Sequence, residues 1–281
     1  MSVRSGAMRT LIALILSSSL FAATPVDELL AHLQQFKGGS PVKVRLNHSS
    51  SRTEGDGAEA STKVTEVLLT AEASSSGMHL SWDSDQFATD KTGDEGDDTA
   101  AEKTEAKSNT PTPTIIKKRS VGVISPTTIA EDLNIAGGFS GRLKGAVVLE
   151  DKPDSFEQKP ARLLLLKLDP HLSAKNKKYI KQLDAQARIW LDAEGTPLAA
   201  ETTTLVKGRA FLVITFESNE KESFRFQKVG ERLVVTYRSK QGSGSGAGEK
   251  SSVLETTKIE IIDANKAATL TDSASLVEKH G

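Results

Sequence analysis

The stretch ARIWLDAEGTPLAAE, residues 187–201, decides how this chain folds. Ile189 and Leu191 alternate with Arg188 and Trp190, a period of two that reads as a strand. Asp192-Ala193-Glu194-Gly195 interrupts it, Gly195 allowing a positive φ, and Pro197 opens a return strand through Glu201. The unit is a hairpin, and Trp190 faces away from Ile189 and Leu191. Its first strand is therefore apolar on both sides, so one face needs a cover beyond the ordinary core.

Working outward, the same period recurs on both sides. Downstream, strands are expected at 197–206, 209–218, 222–229 and 232–240, with turns at Lys207-Gly208, Asn219 to Lys221 and Gly230-Glu231. A Gly/Ser loop, QGSGSGAGEK, then leads to a strand over 251–263. Such short turns imply an antiparallel meander. Upstream, 143–151 and 161–170 read as strands, and the second is apolar over Leu163 to Leu166, which predicts a central strand covered on both sides. Residues 171–183 suit a helical turn leading into a strand from about Asp184. Three further strands are expected at 42–48, 62–73 and 77–83, the first two joined by a long polar hairpin loop.

Two segments change to helical spacing. In PVDELLAHLQQF (25–36), Val26, Leu29, Leu30, Leu33 and Phe36 share a face, Asp27 and Glu28 favour the N-terminal dipole, and Gly38-Gly39 stop the helix. Thr128 and Glu131 fit a capping box for a second helix, with Ile129, Leu133 and Ala136 on one face and Gly137-Gly138 as its end. The fold class is α+β, mainly β. With nine or ten strands in one meander, the sheet must curl or be covered.

Charge is unevenly spread. The net charge is −1, yet Asp83 to Lys107 holds nine acidic residues against three lysines, a net of −6. Residues 84–113 have few large apolar side chains and read as a disordered acidic insertion within a single domain spanning 24–263, followed by a polar tail at 264–281. The mild positive surplus elsewhere is too scattered for a nucleic-acid footprint. At the N-terminus, Arg4 and Arg9, the apolar run from Leu11 to Phe21 and Ala22-Ala23 have the form of a signal peptide over 1–23. That run is shorter than the roughly 20 residues of a membrane-spanning helix. The expectation is a protein exported to the periplasm, or secreted, with no membrane span once the signal is removed.

The search for chemistry returns little. There is no cysteine, hence no disulfide and no thiolate metal site. His32, His48, His79, His171 and His280 have no zinc-ligand spacing and read as loop or surface residues. GGFSG at 137–141 places its serine one position late for a nucleophile elbow, and GSGSGAG at 242–248 lacks the lysine of a phosphate-binding loop. Glu201, Glu217, Glu222 and Glu260 read as charges on the wet face of a sheet. No enzyme activity, metal or cofactor is expected.

The aromatic residues carry more. Trp82, Trp190, Phe211, Phe224 and Phe226 fall on expected strands, and Phe224 and Phe226 share one face. A curved sheet whose concave face is apolar could hold a hydrophobic ligand there, and these five are the candidate lining residues. Two-sided burial of ordinary core residues is the competing account.

The helix VDELLAHLQQF, the strand VKVRLNH behind it and, above all, Trp190-Leu191-Asp192, Gly195, Pro197-Leu198 and Glu201 resemble the periplasmic lipoprotein-carrier superfamily, the LolA, LolB and RseB-like half-barrels. The resemblance implies an incomplete antiparallel barrel with helices over its concave side and a cavity for lipid or the acyl part of a lipoprotein. The acidic insertion and the Gly/Ser loop depart from that pattern. A module that binds a periplasmic protein partner, without lipid, is the alternative.

Overall fold

A computed structural model describes residues 23–56, 60–82, 115–117, 124–170, 172, 177–210 and 214–263. The expected signal peptide (all but Ala23), the acidic insertion, the polar tail and Phe211 lie outside the described residues.

The fold is mainly β. Strands β1 (Val42–Glu54), β2 (Ser61–Ser74) and β3 (Gly77–Trp82) form an antiparallel run, and β4 (Ile115–Lys117) adds a short parallel pairing to β2. The remainder is a meander: β5 (Val147–Phe156), β6 (Lys159–Lys167), β7 (Ile180–Leu191), β8 (Pro197–Ala210), β9 (Ile214–Val229), β10 (Arg232–Gly246) and β11 (Glu249–Asp263). Antiparallel pairing of β1 with β11 joins the two runs, giving the order β3-β2-β1-β11-β10-β9-β8-β7-β6-β5. The sheet curves without closing, as an incomplete barrel, and three short helices lie on its concave face.

Each helix has a local reason to start where it does. In α1 (Pro25–Leu33), Thr24 accepts a hydrogen bond from the Asp27 amide at 3.2 Å, and the Asp27 carboxylate accepts from Thr24 in return. That reciprocal box precedes a proline whose missing N–H costs nothing in the first turn. In α2 (Pro126–Leu133) the cap is Ser125, which accepts from the Thr128 amide at 3.1 Å. The helix thus begins before Thr128, because Pro126 suits the first turn and Ser125 supplies the acceptor.

The expected stop at Gly137-Gly138 is overturned: both glycines lie inside α3 (Ala136–Leu143). Ala136, Phe139 and Leu143 are each 1% exposed, at spacings of three and four. Their burial against the sheet outweighs the roughly 1 kcal/mol that each glycine costs a helix.

Several strands are longer than the turn signals implied. Lys207-Gly208 and Asn219 to Lys221 are not turns; they run inside β8 and β9, whose pairing continues from Ala199↔Arg225 to Ala210↔Ile214. The Gly/Ser segment is not a loop either. Gly242, Gly244 and Gly246 belong to β10, which pairs with both β9 and β11, and the turn falls at Ala247 and Gly248, both at positive φ. Partners on either side satisfy the backbone, and that suffices to hold a glycine-rich strand. β7 likewise starts at Ile180 rather than near Asp184, and β6 lies second from the edge rather than centrally.

Two apolar clusters fill the space between helices and sheet. The larger joins Val26, Leu29 and Leu33 of α1 and Phe139 and Leu143 of α3 to Leu164, Leu166, Ile189, Phe224 and Phe226 of the sheet. The other sets Ile129 and Leu133 of α2 against Val44, Leu46, Leu69 and Ile259.

Candidate functional site

The period-two pattern places a continuous apolar row across the concave face. Leu164, Ile189, Ala200 and Phe224 are cross-strand neighbours on β6, β7, β8 and β9, all 0–2% exposed. Phe224 and Phe226 stack with centroids 5.8 Å apart, and Phe139 of α3 closes on Phe226 at 5.6 Å. Both residues therefore lie on the expected face, covered by a helix. Trp82 also faces inward, at the edge of the second cluster, where its indole Nε1 is buried without a hydrogen-bond partner among the described residues.

Trp190 does not join them. It points to the convex face, where its indole Nε1 donates to Asp154 Oδ2 at 3.0 Å and its ring lies 5.7 Å from that of Phe156. The alternation that buries Ile189 and Leu191 sends Trp190 the other way, so it is removed from the lining set. Arg225 lies over Phe156 and Tyr237, at 6.0 and 5.8 Å, making this a half-covered outer patch.

An open groove of about 680 Å³ lies at one end of the barrel, beside α1. Pro25, Leu29, Pro160, Ala161 and Leu191 give it an apolar floor, and Glu28, His32, Asp151, Arg162 and Glu194 rim it. The rim is ordered by Arg162, which donates to both oxygens of Asp151, at 2.8 and 2.7 Å, and to Glu28 of α1 at 3.3 Å. This arrangement holds the Asp151 carboxyl below its ordinary pKa, chiefly through the Arg162 hydrogen bonds. His32 meets Thr196 Oγ1 at 3.2 Å, tying α1 to the β7–β8 turn. That volume is within the range of small-molecule sites.

A charged cluster crosses the concave face near the larger apolar cluster. Arg238 of β10 donates through Nε to Glu222 Oε1 at 2.7 Å and through Nη1 to Asp132 Oδ1 of α2 at 3.2 Å. Arg142 of α3 donates to Glu222 Oε2 at 2.8 Å. Phe224 packs beside both guanidinium groups, at 5.5 and 5.7 Å. Glu222 is 4% exposed and Asp132 is fully buried. Burial, opposed by Arg238, pushes the Asp132 carboxyl up to about 6.

His48 of β1 is buried as well, its Nδ1 2.9 Å from Thr257 Oγ1, and burial lowers its pKa. Neither Glu222 nor His48 was expected inside. Both could have been found from spacing: Glu222 shares the face of Phe224 and Phe226, and His48 continues Val42, Val44 and Leu46. Asp132 shares its helix face with Ile129, a weaker signal.

Among the described residues, no group of three or more His, Asp or Glu side chains is placed to hold a metal ion, and no helix is long and apolar enough to cross a membrane. Compared with models of protein families, with curated proteins and with solved structures, the chain has no significant match.

Proposed function

We propose that this chain is a non-enzymatic, exported binding protein that takes lipid, or the acyl part of a lipoprotein, against its concave face. The observation that carries this reading is that an open half-barrel presents an apolar interior which, among the described residues, is covered chiefly by helices of eight or nine residues. Such helices are too short to be stable alone and hold their place by packing. An apolar chain entering at the groove beside α1 would compete for the surface now covered by Leu29, Leu33 and Phe139. Each buried methylene contributes about 0.8 kcal/mol, so a long acyl chain brings roughly 10 kcal/mol, offset by the helix contacts it displaces. The ligand therefore has to move a helix to bind well.

Native mass spectrometry of the protein purified from a periplasmic extract without detergent tests this. Adducts of phospholipid or acylated-peptide mass that organic solvent removes are the expected result. A clean unliganded mass, both from the extract and after incubation with phospholipid vesicles, would sink it.

A second reading has one observation in its favour: Phe224 and Phe226 are already 2% and 8% exposed, so the interior is occupied by the protein's own side chains. Under it, the chain is a periplasmic module that binds a partner protein. Deleting residues 84–112 discriminates the two: on this reading partner binding should fall, whereas on the first reading lipid binding should be unchanged.

A further inference from the structure

In the charged cluster, buried helix–sheet contacts carry full charges. α2 contributes Asp132 from the same face as Ile129 and Leu133, and the carboxylate is unevenly served. Oδ1 accepts from Arg238, whereas Oδ2 is buried with no hydrogen-bond partner among the described residues. An ionised carboxylate held this way carries charge that one partner only partly compensates. A proton on Oδ2 removes that charge and leaves the bond from Arg238 to Oδ1 in place.

The surroundings decide what such a proton would do. Arg238 and Lys240 approach from β10, Glu222 from β9, Arg142 from α3 by way of Glu222, His48 from β1 and Glu255 from β11; Glu131 is the acidic neighbour on α2 itself. β2 presents the uncharged Thr65, Val67 and Leu69 to this side. Ser125 and Thr128, at the start of α2, border a pocket of about 230 Å³ with His48, Arg238, Lys240 and Glu255. Lifting α2 would open this polar layer to water and hydrate Asp132.

We propose that Asp132, with Arg238, Glu222 and Arg142, is a proton-operated latch on α2: the helix is held on the sheet when Asp132 is protonated and comes away more readily when it is not. The latch goes beyond the ligand reading above and holds whichever molecule the concave face receives.

The direction follows from linkage. Docked, Asp132 is pushed up to about 6; hydrated, it returns to its ordinary 3.8. The docked state binds the proton more tightly, so protonation favours docking. Between pH 7.5 and 5 the docking equilibrium should shift about tenfold toward the docked helix. His48 works against it. Its pKa is lowered by burial, so charging it in acid favours lifting α2.

Hydrogen exchange of the α2 amides, corrected for the intrinsic pH dependence of exchange and referenced to β7, separates the two groups. In His48→Gln, α2 protection should rise about tenfold from pH 7.5 to pH 5 while β7 stays level. In His48→Gln combined with Asp132→Asn, α2 protection should be flat. Unchanged or falling α2 protection in the single variant, or the same rise in the double variant, would overturn the latch. Should the double variant fail to fold, carbon-13 NMR of the wild-type Asp132 carboxyl decides instead. Titration near pH 6 supports the proposal, and an ordinary titration below pH 4 overturns it.

Discussion

Trp190 donates its indole N–H to Asp154 across the outer surface of the half-barrel, at 3.0 Å, with the Phe156 ring beside it. The tryptophan that marks the deciding hairpin therefore braces the β5–β6 edge from outside, two strands away. Its contribution is to the sheet and not to the concave face.

Trp190→Ala should leave the lipid uptake proposed for the concave face unchanged and cost about 1–2 kcal/mol, less than a fully buried tryptophan, because the ring is only half covered. Urea unfolding measures the loss, and vesicle-to-protein lipid transfer checks the uptake. Loss of uptake with full stability would place Trp190 in the binding path after all.

Phe226→Ala removes the ring that meets both Phe224 and Phe139, from a position 8% exposed. The expected cost is about 3–5 kcal/mol, with α3 loosened before the sheet. Hydrogen exchange should show α3 losing protection first; simultaneous loss throughout the sheet would contradict this.

Glu222→Gln leaves Arg238 and Arg142 sharing a neutral amide in a buried site. Breaking a buried pair from one side costs roughly 3 kcal/mol, because the surviving charge stays desolvated. The urea midpoint should fall accordingly. Glu201→Gln, whose carboxylate meets Lys221 at 3.4 Å at the surface, should move it by less than about 1 kcal/mol.

Two of the shifted groups, His48 and Asp132, give opposite pH signs between pH 5 and 7.5. His48, lowered from 6.5, contributes stability that is present above that value and is lost as pH falls. Asp132, raised to about 6, adds stability as pH falls through 6 toward 3.8. Denaturation of His48→Gln should therefore show stability rising from pH 7.5 to 5, where the wild type rises less or declines. Parallel profiles would show that His48 does not change its charge on unfolding in this range.

Gly208→Ala should destabilise by about 1–3 kcal/mol, since a Cβ there would run into the Phe216 ring and lie 2.5 Å from the Tyr179 carbonyl oxygen. The ring can turn aside, but the carbonyl belongs to the neighbouring backbone. Adding Phe216→Ala should consequently give no rescue, and thermal unfolding of the two variants compares them directly.

Alternation and turn chemistry were enough to read the mainly β fold, the hairpin at 187–201 and α1. These are local properties: side-chain period, a glycine at positive φ, a proline and acidic residues in a first helical turn. The same reasoning cut one long strand in two at Asn219 to Lys221 and took the Gly/Ser strand for a loop. Turn-forming residues can be held extended by partners on both sides, and those partners lie far away in sequence.

The interior divides the same way. Phe224 and Phe226 were legible because they share a face with each other; Trp190 was misplaced because its strand is apolar on both sides, and only the curvature of the sheet decides which side is concave. Asp132, Glu222, Arg142 and Arg238 come from four different elements. Spacing places Glu222 and, more weakly, Asp132 on inward faces, but only the settling of the helices on the sheet sets them against Arg238 and Arg142 as one coupled site.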